Sequence, residues 1–166
     1  VEEVPVVTEE VRPVVPKTLQ LFQQYASGVN SIAPMKGTKM VCLFSMSCSH
    51  CQEVYADICS FSESKKLPGM YLINYGTDYE QNYFFNQAGD CKHPHTLVSE
   101  YPNFKRMLEG KTYPRIVVFK DGKLAKEWDV DSYTKERFMN YFGLSDSDSK
   151  REEDDGGLNL GGKSPW

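Results

Sequence analysis

Cys48 and Cys51, three positions apart, are the residues of this chain best equipped for chemistry. At the start of a helix, the first of two such thiols meets backbone N–H groups without intrahelical partners and the positive end of the helix dipole. Both favour thiolate. Cys48 is then the nucleophile, and Cys51, one turn further in, can attack a mixed disulfide formed on it. The same C-x-x-C spacing makes half of a zinc site, but a zinc ribbon needs a second pair and the sequence holds none. His50 can bring a donor or a positive charge to Cys48; the alternative is an exposed helix residue with no part in the chemistry. Ser49 completes the motif as a candidate for substrate contact.

These residues need a strand before them and a helix after them. Met40 to Phe44 is a continuous apolar run that suits a strand covered on both faces. Ser45 to Ser47 breaks it. Val54, Tyr55, Ile58, Cys59 and Phe61 then recur at helical spacing, so a helix is predicted from Cys48 to about Lys66, stopped by Pro68-Gly69. Met70 to Tyr75 reads as a second strand, and the helix becomes a right-handed crossover between parallel neighbours. Upstream, Thr18 can cap a helix carrying Leu19, Leu21, Phe22 and Tyr25. Downstream, the reading is a polar helix near Tyr79–Gln87, a loop from Ala88 to Thr96, and a short helix from Pro102 to Glu109. Asp121-Gly122 marks a hairpin between Ile116–Lys120 and Leu124–Val130. A last helix, capped by Asp131 or Ser132, carries Tyr133, Phe138, Tyr141 and Phe142 and ends at Gly143.

The segment Phe44-Ser45-Met46-Ser47-Cys48-Ser49-His50-Cys51 resembles the active site of the thioredoxin superfamily, and of its Dsb oxidants in particular. Thr112-Tyr113-Pro114, followed by Arg115 to Lys123, resembles that family's cis-proline loop and terminal hairpin. The resemblance covers roughly Thr18 to Gly143. It implies an α/β thioredoxin-like fold: a central mixed β-sheet flanked by helices, with an extra helix and loop inserted before the cis-Pro loop. It also implies a thiol:disulfide oxidoreductase acting on protein thiols or disulfides, with no cofactor, Cys48, Cys51 and His50 catalytic, and Tyr113, Pro114 and Ser49 at the substrate. A histidine before the second cysteine leans toward oxidation or isomerisation. Tyr113 would offer its backbone to an extended substrate. One departure stands out: the family's buried carboxylate six residues before the first cysteine is here Cys42. The other readings are a non-catalytic binding module on the same fold and a metal carrier.

The 166 residues suit one domain, read as an extended arm or linker over 1–17, the thioredoxin-like domain over 18–144, and a disordered acidic, glycine-rich tail over 145–166. A net charge of −4 gives no footprint for nucleic acid. No apolar stretch is long enough to span a membrane, and the start at Val1 leaves room for an anchor or domain upstream in a longer protein. With Cys48 and Cys51 set aside, Cys42, Cys59 and Cys91 remain. Cys42 reads as a buried thiol. Cys59 and Cys91 are either a structural disulfide, which fits an oxidising compartment, or two unrelated small apolar residues. Cys91, His93 and His95 have ligand character, but three local donors stiffened by Pro94 read as an ordinary polar loop, with no metal. The expectation is an extracytoplasmic monomer, periplasmic, secreted or membrane-anchored, served by an unidentified redox partner.

Overall fold

The apolar residues of the two predicted strands divide between two cores. A computed structural model describes residues 14–149. Most of the proposed N-terminal arm and of the tail therefore lies outside the described residues. The central strand β1 (Thr38–Ser45) pairs in parallel with β2 (Gly69–Tyr75) and antiparallel with β4 (Arg115–Lys120). β3 (His95–Val98) adds to β2 in parallel and β5 (Lys123–Trp128) to β4 in antiparallel, giving the order β3-β2-β1-β4-β5. Met40, Cys42 and Phe44 point to one face, Val41 and Leu43 to the other, and both faces are covered. On the first lie α2 (Ser49–Ser60), α3 (Asp78–Ala88) and α5 (Lys135–Phe142). On the second lie α1 (Lys17–Tyr25) and α4 (Tyr101–Leu108). This is the mixed, helix-flanked sheet of the thioredoxin-like fold.

Local chemistry explains most boundaries. Thr77 and Glu80 form a reciprocal capping box at the head of α3. Asp121 and Gly122 both take positive φ, 51° and 84°, as a two-residue hairpin turn requires. Gly28 lets the chain pass Tyr71, whose hydroxyl bonds Thr96; a Cβ there would collide with that phenol.

Several expectations are corrected. Thr18 is not a cap: Pro16 is the N-cap residue of α1, and the Thr18 hydroxyl instead donates to Glu109 at 2.6 Å. α2 ends at Ser60, six residues early, because the Phe61 and Ser62 N–H groups turn back to Ile58 and Cys59. The 88–96 loop contains the start of a strand, β3, held at the sheet edge by Leu72 and its neighbours. Thr134, not Asp131 or Ser132, caps α5, since Ser132 is engaged in a turn with Asp129. At the head of the proposed tail, residues Asp146–Asp148 form a 3-10 turn, and Lys66 bonds both the Asp148 carboxylate and the Gly143 carbonyl.

Candidate active site

β1 delivers the two cysteines through a tight turn. The Met46 N–H donates to the Tyr75 carbonyl at 2.8 Å, and the Cys48 N–H to the Ser45 carbonyl at 3.1 Å. Gly76 allows the close pass, since a Cβ there would lie 2.9 Å from the Cβ of Met46. Cys48 is the N-cap residue of α2, and its Sγ accepts the Cys51 N–H at 3.2 Å.

The two thiols are opposite in character. Cys48 is half-buried, and its pKa is lowered from the ordinary 9.0 to about 6. The hydrogen bond from the Cys51 thiol does most, burial works against it, the backbone N–H groups of Cys51 and His50 add to it, and the charge on His50 contributes least. Cys51 is fully buried, and its thiol is pushed far up, first by burial and then by serving as donor to Cys48. A stabilised thiolate beside a protonated, shielded thiol is a nucleophile with a resolving partner.

Ser49 is exposed on the first turn of α2. His50 does not take the leading place that the sequence gives it. Its Nδ1 lies 3.5 Å from the Glu53 carboxylate, one turn along the helix, with both side chains well exposed. A histidine two residues past a cap residue can turn along its own helix as readily as toward the sulfur, and here it does the former. Cys42 stands where the family carboxylate would be. It is buried, burial pushes its thiol up, and its Sγ contacts the sulfur of Met70 at 3.7 Å. It offers no base to Cys51.

The Tyr113–Pro114 peptide is cis. Because Leu43 faces Arg115 across the sheet, this step lies at the end of β1 from which the Cys48 turn departs. Pro114 is buried; Tyr113 is half-buried and packs against both cores. Two features of this loop are not visible in the sequence. Arg115, only 2% exposed, bonds the Met107 carbonyl at 2.7 Å, Glu127 at 3.1 Å and Glu109 at 3.2 Å, tying the loop to α4 and β5. A chain of rings, Tyr101, Tyr75, Phe104 and Tyr113, backs it at centroid separations of 5.2, 5.3 and 6.2 Å. The one signal available was an arginine opening an otherwise apolar strand.

Cys59 and Cys91 are joined by a disulfide that fastens the end of α2 to the loop before β3. The His93 Nδ1 lies 3.3 Å from both the Cys91 sulfur and the Tyr55 hydroxyl, and burial lowers its pKa. With Cys91 committed to Cys59, the Cys91-His93-His95 stretch presents no thiolate.

No family model and no curated protein matches the chain. Solved structures do, in fold. A secreted disulfide oxidoreductase of Mycobacterium tuberculosis, homologous to E. coli DsbE, is 7% identical, with 67% of this chain and 84% of that one covered at a TM-score of 0.55. The DsbF of M. tuberculosis is 8% identical, with 67% and 82% covered at 0.54. A thiol:disulfide interchange protein of the thioredoxin family from Chlorobium tepidum is 14% identical, with 69% and 82% covered at 0.52. The fold is thus that of thioredoxin-like thiol:disulfide oxidoreductases.

Proposed function

We propose that the chain is a thiol:disulfide oxidoreductase that exchanges disulfides with protein thiols outside the cytoplasm, through Cys48 and Cys51. The observation that carries this reading is the contrast between a half-exposed Cys48 with a pKa of about 6 and a buried, protonated Cys51 behind it. The solved oxidoreductases of the same fold support it, one of them described as secreted. The Cys59–Cys91 disulfide fits an oxidising compartment. Among the described residues no helix is long and apolar enough to cross a membrane.

In the oxidising direction a substrate thiolate attacks the Cys48 sulfur of a Cys48–Cys51 disulfide. The S–S bond breaks, and Cys51 leaves and takes a proton. The substrate's second thiolate then attacks its own sulfur in the mixed disulfide and expels Cys48 as thiolate. The substrate loses two electrons and gains a disulfide; the protein gains both electrons, and a redox partner must carry them on. Stabilising the Cys48 thiolate stabilises only the reduced protein, which favours this direction. Ser49 and the Tyr113–Pro114 step flank the path of the substrate chain, and His50 adds a small push to the Cys48 pKa.

The test is exchange with a reduced, unfolded protein that needs disulfides. Wild type carrying the Cys48–Cys51 disulfide should oxidise it and Cys48→Ser should be inactive, while reduced Cys51→Ser, mixed with the same protein in its disulfide-bonded form, should accumulate a mixed disulfide visible by mass spectrometry. Equal alkylation rates for Cys48 and Cys51 at neutral pH, with no mixed disulfide, would leave the fold as a binding module instead.

A further inference from the structure

We infer that the hollow between α4 and the Gly110–Tyr113 segment is a specificity subsite for an acidic side chain carried on the substrate close to its reacting cysteine. The inference rests on the oxidoreductase reading above. The hollow has a volume of about 330 Å³, enough for one or two side chains, and Tyr113 forms one of its walls. It therefore opens directly beside the residue that precedes Pro114, at the end of the sheet where Cys48 sits. Tyr101, Leu108 and Tyr113 make its apolar surface, and the ring chain through Tyr75 and Phe104 holds that surface still.

Its charge is one-sided. Lys105 and Lys111 line it, and no acid does. Lys111 lies 3.5 Å from Glu127, but Glu127 also accepts from Arg115, and Arg115 also donates to Glu109. Those four charges balance. Lys105 forms no ion pair or hydrogen bond among the described residues and is exposed at the rim, so its charge is uncompensated. An apolar hollow with one unmatched cation selects an acidic residue next to a bulky apolar one. A basic residue there would meet Lys105 and be disfavoured.

The test uses three cysteine peptides that differ only in whether the residues flanking the cysteine are acidic, neutral or basic. Each is supplied as a mixed disulfide with thionitrobenzoate, whose acidic thiol makes it the better leaving group. The Cys48 thiolate attacks the peptide sulfur and releases thionitrobenzoate. Cys51 then displaces the peptide thiol, and the two electrons lost in forming Cys48–Cys51 have reduced the peptide disulfide. In single turnovers of the reduced protein, followed by thionitrobenzoate release, the acidic peptide should reach its half-maximal rate at a concentration about two- to fivefold below the neutral one, the range of an exposed ion pair, with the maximal rate little changed. Lys105→Glu should invert the order of acidic and basic peptides, and about 1 M salt should abolish it. Lys123→Glu, the same charge change at the far end of the β4–β5 hairpin, should leave the order intact. Equal half-maximal concentrations for the three peptides, or a preference that Lys105→Glu does not move, overturns the subsite while leaving exchange standing. Failure of every peptide to react removes the oxidoreductase reading and the subsite with it.

Discussion

Replacing Cys51 with alanine should raise the Cys48 pKa more than replacing His50 does. The structure places the Cys51 thiol hydrogen bond first among the influences that lower Cys48, and the His50 charge last. A hydrogen bond to a charged group contributes about 1.5–3 kcal/mol. Cys48 is half-exposed, so solvent screening holds the contribution to the lower end, about 1.4 kcal/mol, or roughly one pKa unit. Cys51→Ala should therefore move Cys48 from about 6 to roughly 7. At pH 6 the thiolate fraction would fall from about a half to about a tenth. The backbone N–H of residue 51 survives in the variant, so part of the depression remains. His50→Ala, with the ring turned toward Glu53, should shift the midpoint by less than about half a unit. Ultraviolet thiolate absorbance followed against pH reads both midpoints without depending on nucleophilicity. A larger shift for His50→Ala than for Cys51→Ala would refute this ordering and return His50 to the centre of the site.

The reduction potential of the Cys48–Cys51 pair should fall by about 59 mV per pH unit in acid and by about 30 mV per unit above pH of about 6. The reduced pair binds two protons below the Cys48 pKa and only one above it, because Cys51 stays protonated; equilibration against glutathione buffers across pH would show the break. By linkage, the stabilisation that the depressed Cys48 pKa gives the reduced fold is fully present above the ordinary thiol range and is lost as pH falls through about 6, which urea unfolding of the dithiol form at several pH values would detect. Replacing both Cys59 and Cys91 by alanine reopens a loop of sequence separation 32 and should cost about 4 kcal/mol in unfolding free energy while leaving the Cys48 midpoint in place. Arg115→Ala leaves Glu109 with only Thr18 and Glu127 with only Lys111, and should cost about 1.5–3 kcal/mol, measured by chemical denaturation.

What could be read from the chain alone was whatever local chemistry specifies. An apolar run meeting a C-x-x-C and a helical period places β1, the turn and α2, because each step there is a property of neighbouring residues. Asp121-Gly122 places its hairpin for the same reason. β3 was not legible: four residues, His95 to Val98, hold no period of their own and become a strand only because β2 offers an edge. The cap of α5 was misplaced because Asp131, Ser132 and Thr134 all have capping side chains, and the choice fell to a turn at Asp129. His50 shows the same limit at the site. Its position follows from the sequence, but its ring direction depends on competition between Glu53 and Cys48. The Arg115 network joins residues on α1, α4, β4 and β5, and no spacing along the chain foretells it.

The disulfide at the end of α2 gains meaning from the direction of that helix. Cys48 sits where the peptide dipoles present their positive end. Cys59, in the last turn, sits where they present the negative end, and it is almost wholly enclosed. An attacking thiolate meets Cys91, the more open residue, more readily than Cys59, and would then expel Cys59 as an anion beside the helix end that disfavours anions. An attack on a Cys48–Cys51 bridge would instead expel Cys51 in the first turn of the helix, where burial keeps it protonated behind Cys48. One helix thus carries two sulfur pairs at opposite poles, the proposed exchanging pair at its head and the Cys59–Cys91 bridge at its foot. If the head pair is the one that exchanges, a reductant that serves it should leave the foot bridge closed.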